Sequence, residues 1–227
     1  LEDLKKTVRD VKADLGVAHD GDGDRAVFVD EKGRFISEDV ILALMAKYYV
    51  EKAGEGVVVT PVSSSKCLED VVTTAGGKVI YTAVGSPVVA EVMKKEKAVF
   101  GGEGNGGLIF PEHQYVRDGA MAVAKILELM ATEKMPISEL VKDIPKYYMI
   151  KTKVPCKDKI KLLNGLKQKF PDANLTDGAR LDFEDGWLLV RPSGTEPIAR
   201  IFAEGKSETR AKELLEIGMR AVKEILG

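Results

Sequence analysis

Thiols, imidazoles and indoles are scarce in this chain, which has two cysteines, two histidines and one tryptophan in 227 residues. Cys67 and Cys156 stand far apart, without C-x-x-C spacing. They offer no disulfide framework and read as buried or incidental thiols of a reducing, cytoplasmic compartment. Amides are equally sparse: Asn105, Asn164, Asn174, Gln114 and Gln168 stand against abundant Lys and Glu. That balance hints at a thermophilic source. No apolar run approaches the length that spans a bilayer and no signal-peptide pattern opens the chain, so no membrane partner is expected. Neither charge is in excess: 34 basic and 36 acidic residues give a net charge of −2 and a pI of about 5.9. A nucleic-acid partner therefore gets no electrostatic support. What is present is a chain 44% hydrophobic, enough for a buried core and one to two domains.

The most informative run is Asp20-Gly21-Asp22-Gly23-Asp24-Arg25, directly after the apolar stretch Leu15–Ala18. Carboxylates at every second position repel one another unless a cation sits among them. Hard oxygen ligands suit Mg²⁺ or Ca²⁺ rather than a soft metal. Arg25 adds a fixed positive charge, and a guanidinium beside a cation is suited to hold a phosphate. The plain alternative is an acidic, solvated turn. An EF-hand would place Glu31 at its twelfth position, but Arg25 stands where the sharp turn wants glycine. Ala26–Val29 also reads as a strand, not as part of a helical loop.

Three regions follow from the patterning. Residues 1–36 read as helix, strand, acidic loop, strand and turn, with Leu1, Leu4, Val8 and Val11 at helical spacing. The segment is too short to be a domain and reads as the end of one within a longer polypeptide. Asp30–Gly33 is a hairpin signal between Ala26–Val29 and Arg34–Ile36. Residues 37–144 alternate helix and strand, which implies a parallel sheet with ligand loops at the strand C-termini. Ser37 is placed to cap a helix with the apolar face Val40, Ile41, Leu44, Met45 and Tyr48, and Ser86-Pro87 to open another. The strands here are Gly56–Thr60, Lys78–Thr82 and Ala98–Phe100. Residues 145–227 read as a small α+β domain. Its strands lie near Tyr147–Val154, Leu181–Phe183, Trp187–Val190 and Ile198–Ala203; its helices are Asp158–Phe170 and one capped by Ser207.

Two further loops could carry chemistry. Gly101-Gly102-Glu103-Gly104-Asn105-Gly106-Gly107 follows a buried strand, where an open α/β sheet binds ligands. Glu103 and Asn105 supply acceptors and donors for hydroxyl groups; the plain alternative is a flexible surface loop. Glu103 is remote in sequence from the acidic run, so its loss should spare metal binding. Arg191-Pro192-Ser193-Gly194-Thr195-Glu196-Pro197 lies between two strands. A guanidinium fork, two hydroxyls and the backbone of Gly194 suit a phosphate, although an ordinary exposed turn has the same composition. His19 could join a proton relay or be a half-buried strand-end residue. His113 and Arg117 follow the glycine loop and could reach what it binds, although a structural role is the plainer reading.

Together these loops resemble those of the α-D-phosphohexomutases, a family that includes phosphomannomutase, phosphoglucomutase and phosphoglucosamine mutase. DGDGDR looks like the family's magnesium loop, GEGNGG its sugar-specificity loop (usually G-E-x-S-G-H), and RPSGTEP its phosphate loop. The variant is similar to archaeal members, with Asn105 and Gly107 in place of the usual Ser and His. The resemblance implies a mixed-sheet α/β domain followed by a small α+β domain. It implies Mg²⁺ on Asp20, Asp22 and Asp24, Arg25 as a catalytic residue steadying the transferring group, and Glu103 and Asn105 on sugar hydroxyls. Arg191, Ser193, Gly194 and Thr195 would clamp the phosphate not being transferred. The implied reaction interconverts hexose 1-phosphate and 6-phosphate through a phosphoserine and a bisphosphate. The family's catalytic serine lies in an earlier domain, in a T-A-S-H-N-P-like loop, and no serine here has that setting. The resemblance thus implies missing N-terminal domains as partners and an inactive isolated chain. Two other readings are a haloacid-dehalogenase-type phosphatase using Asp20 and Asp22, and a non-catalytic metal- or phosphate-binding module.

Overall fold

The computed structural model describes residues 1–227, and its contacts divide the chain into Leu1–Pro145 and Lys146–Gly227. The first unit opens with α1 (Glu2–Val11), which turns its buried Val8 onto the backbone of Gly16. Then come β1 (Leu15–His19), β2 (Ala26–Asp30) and β3 (Phe35–Ile36), an antiparallel meander. His19 pairs with Ala26 across β1 and β2, so the acidic run is the loop of a hairpin.

The remaining elements of this unit are α2 (Glu38–Ala53), β4 (Val57–Pro61), α3 (Lys66–Thr74), β5 (Lys78–Thr82), α4 (Ser86–Glu96), β6 (Phe100–Glu103), β7 (Gly107–Phe110), β8 (Gln114–Arg117), α5 (Gly119–Glu133) and α6 (Ile137–Leu140). Their sheet runs β5-β4-β6-β7-β8. Strands β5, β4 and β6 are parallel, as the helix–strand alternation implies. Strands β7 and β8 then return antiparallel and make the sheet mixed, as the family resemblance implies. Met93 of α4 packs with Val59 and Ile109 on one face. Tyr49 of α2 stacks on Phe100 at 5.2 Å on the other.

Four local readings need correction. The strand that begins near Phe100 continues through Gly101 and Gly102 to Glu103, although glycine has little strand propensity. A Cβ on Gly101 would lie 2.4 Å from the Met93 sulfur and 2.8 Å from the Val59 carbonyl, so glycine here serves close packing. Helix α2 is buried continuously from Ile41 to Ala46 and again at Tyr49 and Val50, so it has no single apolar face. Ser37 occupies its N-cap position without a side-chain capping bond. In α4 the cap is Gly85, at φ +136°, and Ser86 and Pro87 stand one position further in.

The second unit comprises β9 (Tyr148–Pro155), α7 (Lys159–Lys169), β10 (Ala179–Phe183), β11 (Gly186–Pro192), β12 (Ile198–Gly205) and α8 (Glu208–Leu226). Its antiparallel sheet has the order β10-β11-β12-β9. Leu162 and Leu166 of α7 and Leu214 and Val222 of α8 bury Leu188, Val190, Ile201 and Ala203 of the sheet. Asp158 and Ser207 cap the two helices through their side chains, the latter as the sequence implies. No helix is long and apolar enough to cross a membrane.

Candidate active site

The β1–β2 hairpin brings one oxygen each of Asp20, Asp22 and Asp24 within 4.8 Å of one another. Its ends are tied by Asp20, which accepts from the Arg25 backbone N–H at 3.2 Å and from Arg25 Nε at 2.5 Å. Gly23, at φ +73°, donates to the Asp20 carbonyl, which closes the turn. The Arg25 guanidinium holds the Asp20 carboxyl below its ordinary range, and Asp20 in turn raises the pKa of Arg25. Strands rather than helices flank the loop, and Glu31 belongs to the next turn, where it accepts from Ser138. No EF-hand geometry exists here.

The loop does not stand alone. Ala26 donates its backbone N–H to the Gly106 carbonyl at 3.1 Å, and Gly119, the first residue of α5, donates to the Gly23 carbonyl at 3.2 Å. The acidic hairpin, the β6–β7 turn and the start of α5 therefore meet. Glu103 ends β6 and is 5% exposed. Arg117, at the end of β8, forks between two acids. Its Nη1 donates to Glu103 at 3.1 Å, and its Nη2 donates to Asp24. Gly107 makes room for this reach, because a Cβ there would lie 2.2 Å from Arg117 Cδ. Glu103 is remote in sequence from the acidic run, yet in the structure one side chain joins them. Sequence separation hid this, since Arg117 is 93 residues from Asp24; only the pairing of β6, β7 and β8 reveals it.

The Asp24 Oδ1 atom is buried with no hydrogen-bond partner. Four carboxylates, Asp20, Asp22, Asp24 and Glu103, face two guanidiniums, Arg25 and Arg117. The excess of negative charge equals that of one divalent cation. An oxygen without a hydrogen bond, 3.7 Å from Arg25 Nε and among hard anionic donors, fits Mg²⁺ or Ca²⁺.

The rest of the glycine loop is a tight turn, not a flexible surface segment. Asn105 accepts from the Gly107 N–H through its own Oδ1 at 3.1 Å, so only part of its amide remains for a ligand. His19 is exposed, not half-buried, with Nδ1 3.1 Å from the Arg25 carbonyl. His113 turns to Asp118, the side-chain cap of α5, at 3.3 Å.

In the second unit, Arg191 and Pro192 end β11, and Ser193-to-Pro197 forms the β11–β12 turn. Arg191 is not an exposed loop residue. It lies on β11 with a side chain 14% exposed, and its Nε is 2.9 Å from Asp177 Oδ2. Ser193 is buried, and its hydroxyl accepts from the Glu196 N–H at 3.2 Å. Gly194 and Thr195 are exposed, and Lys159 Nζ reaches the Gly194 carbonyl at 3.3 Å.

Residues 37–148 match the α/β/α domain III of phosphoglucomutase/phosphomannomutase, and residues 149–219 match the C-terminal domain of the same proteins. The chain belongs to the phosphoglucomutase/phosphomannomutase family. It is 44% identical over 231 residues to a phosphoglucomutase/phosphomannomutase of Thermococcus kodakarensis, covering 100% of this chain and 51% of that protein. It is 42% identical over 235 residues to a probable phosphoglucosamine mutase of Methanopyrus kandleri, covering 99% and 52% respectively. A solved phosphoglucomutase/phosphomannomutase family protein from Burkholderia thailandensis superposes with a TM-score of 0.89 at 26% identity, over 99% of this chain and 50% of that one. The chain thus spans about half the length of the curated relatives it matches.

Proposed function

We propose that this chain supplies the divalent-cation, sugar and distal-phosphate contacts of a phosphohexomutase that interconverts hexose 1-phosphate and 6-phosphate. The observation that carries the proposal is the hairpin that converges Asp20, Asp22 and Asp24 with an orphaned Asp24 oxygen, joined through Arg117 to Glu103. Asp20, Asp22 and Asp24 would hold Mg²⁺, which supplies charge neutralisation to a transferring phosphoryl group. Arg25 stays half-exposed beside them and is placed to hold a phosphoryl oxygen. Glu103 offers an acceptor and the Asn105 amide nitrogen a donor to sugar hydroxyls. In the second unit, Arg191, ion-paired with Asp177 at 2.9 Å, would hold a phosphate alongside Ser193, Gly194 and Thr195.

A phosphoserine route through a bisphosphate needs a serine carrier. Four of the eight serines do structural work: Ser64 meets Thr60, Ser65 caps α3, Ser138 meets Glu31 and Ser207 caps α8. The 227-residue chain should therefore bind a hexose phosphate without isomerising it. The antiparallel hairpin and the Arg25 bond on Asp20 give the phosphatase alternative no support. The test is an NMR titration with Mg²⁺ and mannose, glucose or glucosamine 6-phosphate, beside a coupled isomerisation assay. Shifts at Asp20–Arg25, Glu103 and Arg191–Thr195 without turnover are expected. Sustained turnover by the chain, or no shift at these residues, would overturn the proposal.

A further inference from the structure

We infer that Arg117 is a positioning residue that couples cation binding at the acidic hairpin to hydroxyl binding at Glu103. The inference rests on reading Asp20, Asp22 and Asp24 as a divalent-cation site. It starts from the geometry of one side chain. Arg117 spends one terminal nitrogen on Asp24 and the other on Glu103, while its Nε is buried without a partner. Glu103 is nearly sealed, and its side chain is 6% exposed against 23% for Arg117 and 27% for Asp24. The guanidinium is thus shared between two acids of different exposure, and neither can change state without the other.

The fold is built to hold this arrangement. Arg117 pairs with Ile109 across β7 and β8, and its stem runs over Gly107, the first residue of β7. The next residue, Asp118, is anchored by its N–H to the Leu108 carbonyl at 3.0 Å and caps α5. The guanidinium therefore arrives from a rigid strand end, not from a loop.

The consequence follows from charge. A cation among the acidic residues draws on the carboxylate of Asp24 and loosens its hold on Arg117. Arg117 then leans toward Glu103. A sugar hydroxyl that takes Glu103 has the opposite effect and returns Arg117 to Asp24. Because coupling between two binding events is reciprocal, whatever Mg²⁺ does to Glu103, a ligand on Glu103 does to Mg²⁺. Glu103 also keeps Arg117 from neutralising Asp24 completely. Replacing its charge frees the guanidinium to compete with the metal.

The experiment is Mg²⁺ calorimetry on the unmutated chain, Glu103→Gln and the double variant Glu103→Gln/Arg117→Met, each checked for folding by thermal melting. Glu103→Gln should weaken Mg²⁺ binding roughly five- to tenfold, the scale of one unit charge lost near a dication in a partly screened site. The double variant should recover affinity to within about twofold of the unmutated chain, because the competing cation is gone. A merely structural Arg117 predicts further loss in the double variant instead. Unchanged affinity in Glu103→Gln, or no recovery in the double variant, overturns the inference while leaving the metal site intact. An unmutated chain that binds no Mg²⁺ overturns the metal reading itself, and the coupling with it. If a variant fails to fold, the unmutated chain still decides. Mg²⁺ saturation should shift the backbone amide resonances of Glu103 and Gly104 as well as those of Asp20–Arg25, and a response confined to the acidic loop overturns the coupling.

Discussion

The two glycine-bearing loops of this chain look alike in sequence and differ in substance. Gly101–Gly107 is a hairpin whose glycines are pressed by neighbours: the Met93 sulfur and the Val59 carbonyl at Gly101, and the Arg117 stem at Gly107. Gly194, in the β11–β12 turn, has nothing within 4 Å of where its Cβ would stand. The first loop is packed and holds a buried acid in an ion pair. The second is open, and its partly buried arginine pairs with Asp177. Glycine thus marks tight packing in one place and open backbone in the other, and composition does not distinguish them.

The sharpest way to break this comparison is an alanine at each loop. Gly101→Ala must displace Met93 or a strand backbone, and should cost about 1–3 kcal/mol, as overpacking does. Gly194→Ala should stay within about 0.5 kcal/mol. Urea denaturation of both variants checks this, and equal costs would remove the distinction between packed and open glycines.

Arg191→Ala comes next. An exposed clamp residue would lose phosphate binding at no structural cost. Because Arg191 is mostly buried and paired with Asp177, its removal should also cost about 1–2 kcal/mol of stability. Phosphate-dependent shifts at Ser193 and Thr195 should disappear with it. An unchanged melting temperature would return Arg191 to the role of a free surface fork.

The smallest effect concerns α5, whose first residue touches the acidic loop. Lys125 holds the Glu128 carboxyl below its ordinary value of 4.5. A lowered folded-state pKa contributes stability above the unfolded value, and that contribution is lost as pH falls through the folded one. Glu128→Gln should therefore lower stability slightly at pH 6, with the difference fading below pH 4.5. Denaturation midpoints across that range check the sign, and a difference that grows in acid would contradict it.

Much of this molecule was legible in its sequence. The elements of the second unit followed from periodicity, and Ser207 caps as its position implies, whereas Asp158, read as the first helical residue, is the cap of α7. The acidic loop was legible because three carboxylates at alternate positions have few other uses. What stayed hidden depends on contacts between distant segments. Strand β6 was masked by glycines whose neighbours are side chains of other elements. Helix α2 lacked a face because it is covered almost all round. Arg117 was visible only as a residue near a loop, since its partners lie 14 and 93 residues away. Arg191 is ion-paired with Asp177, which nothing in the RPSGTEP run announces.

The central claim is that the β1–β2 hairpin is a divalent-cation site completed by Asp24. The most direct test is Mg²⁺ calorimetry on the chain and on Asp24→Asn, which removes an anionic ligand while preserving volume. One saturable site that weakens at least tenfold, by roughly 1.4 kcal/mol, in the variant is the predicted result. Equal affinity in both chains, or no saturable binding in either, would contradict it.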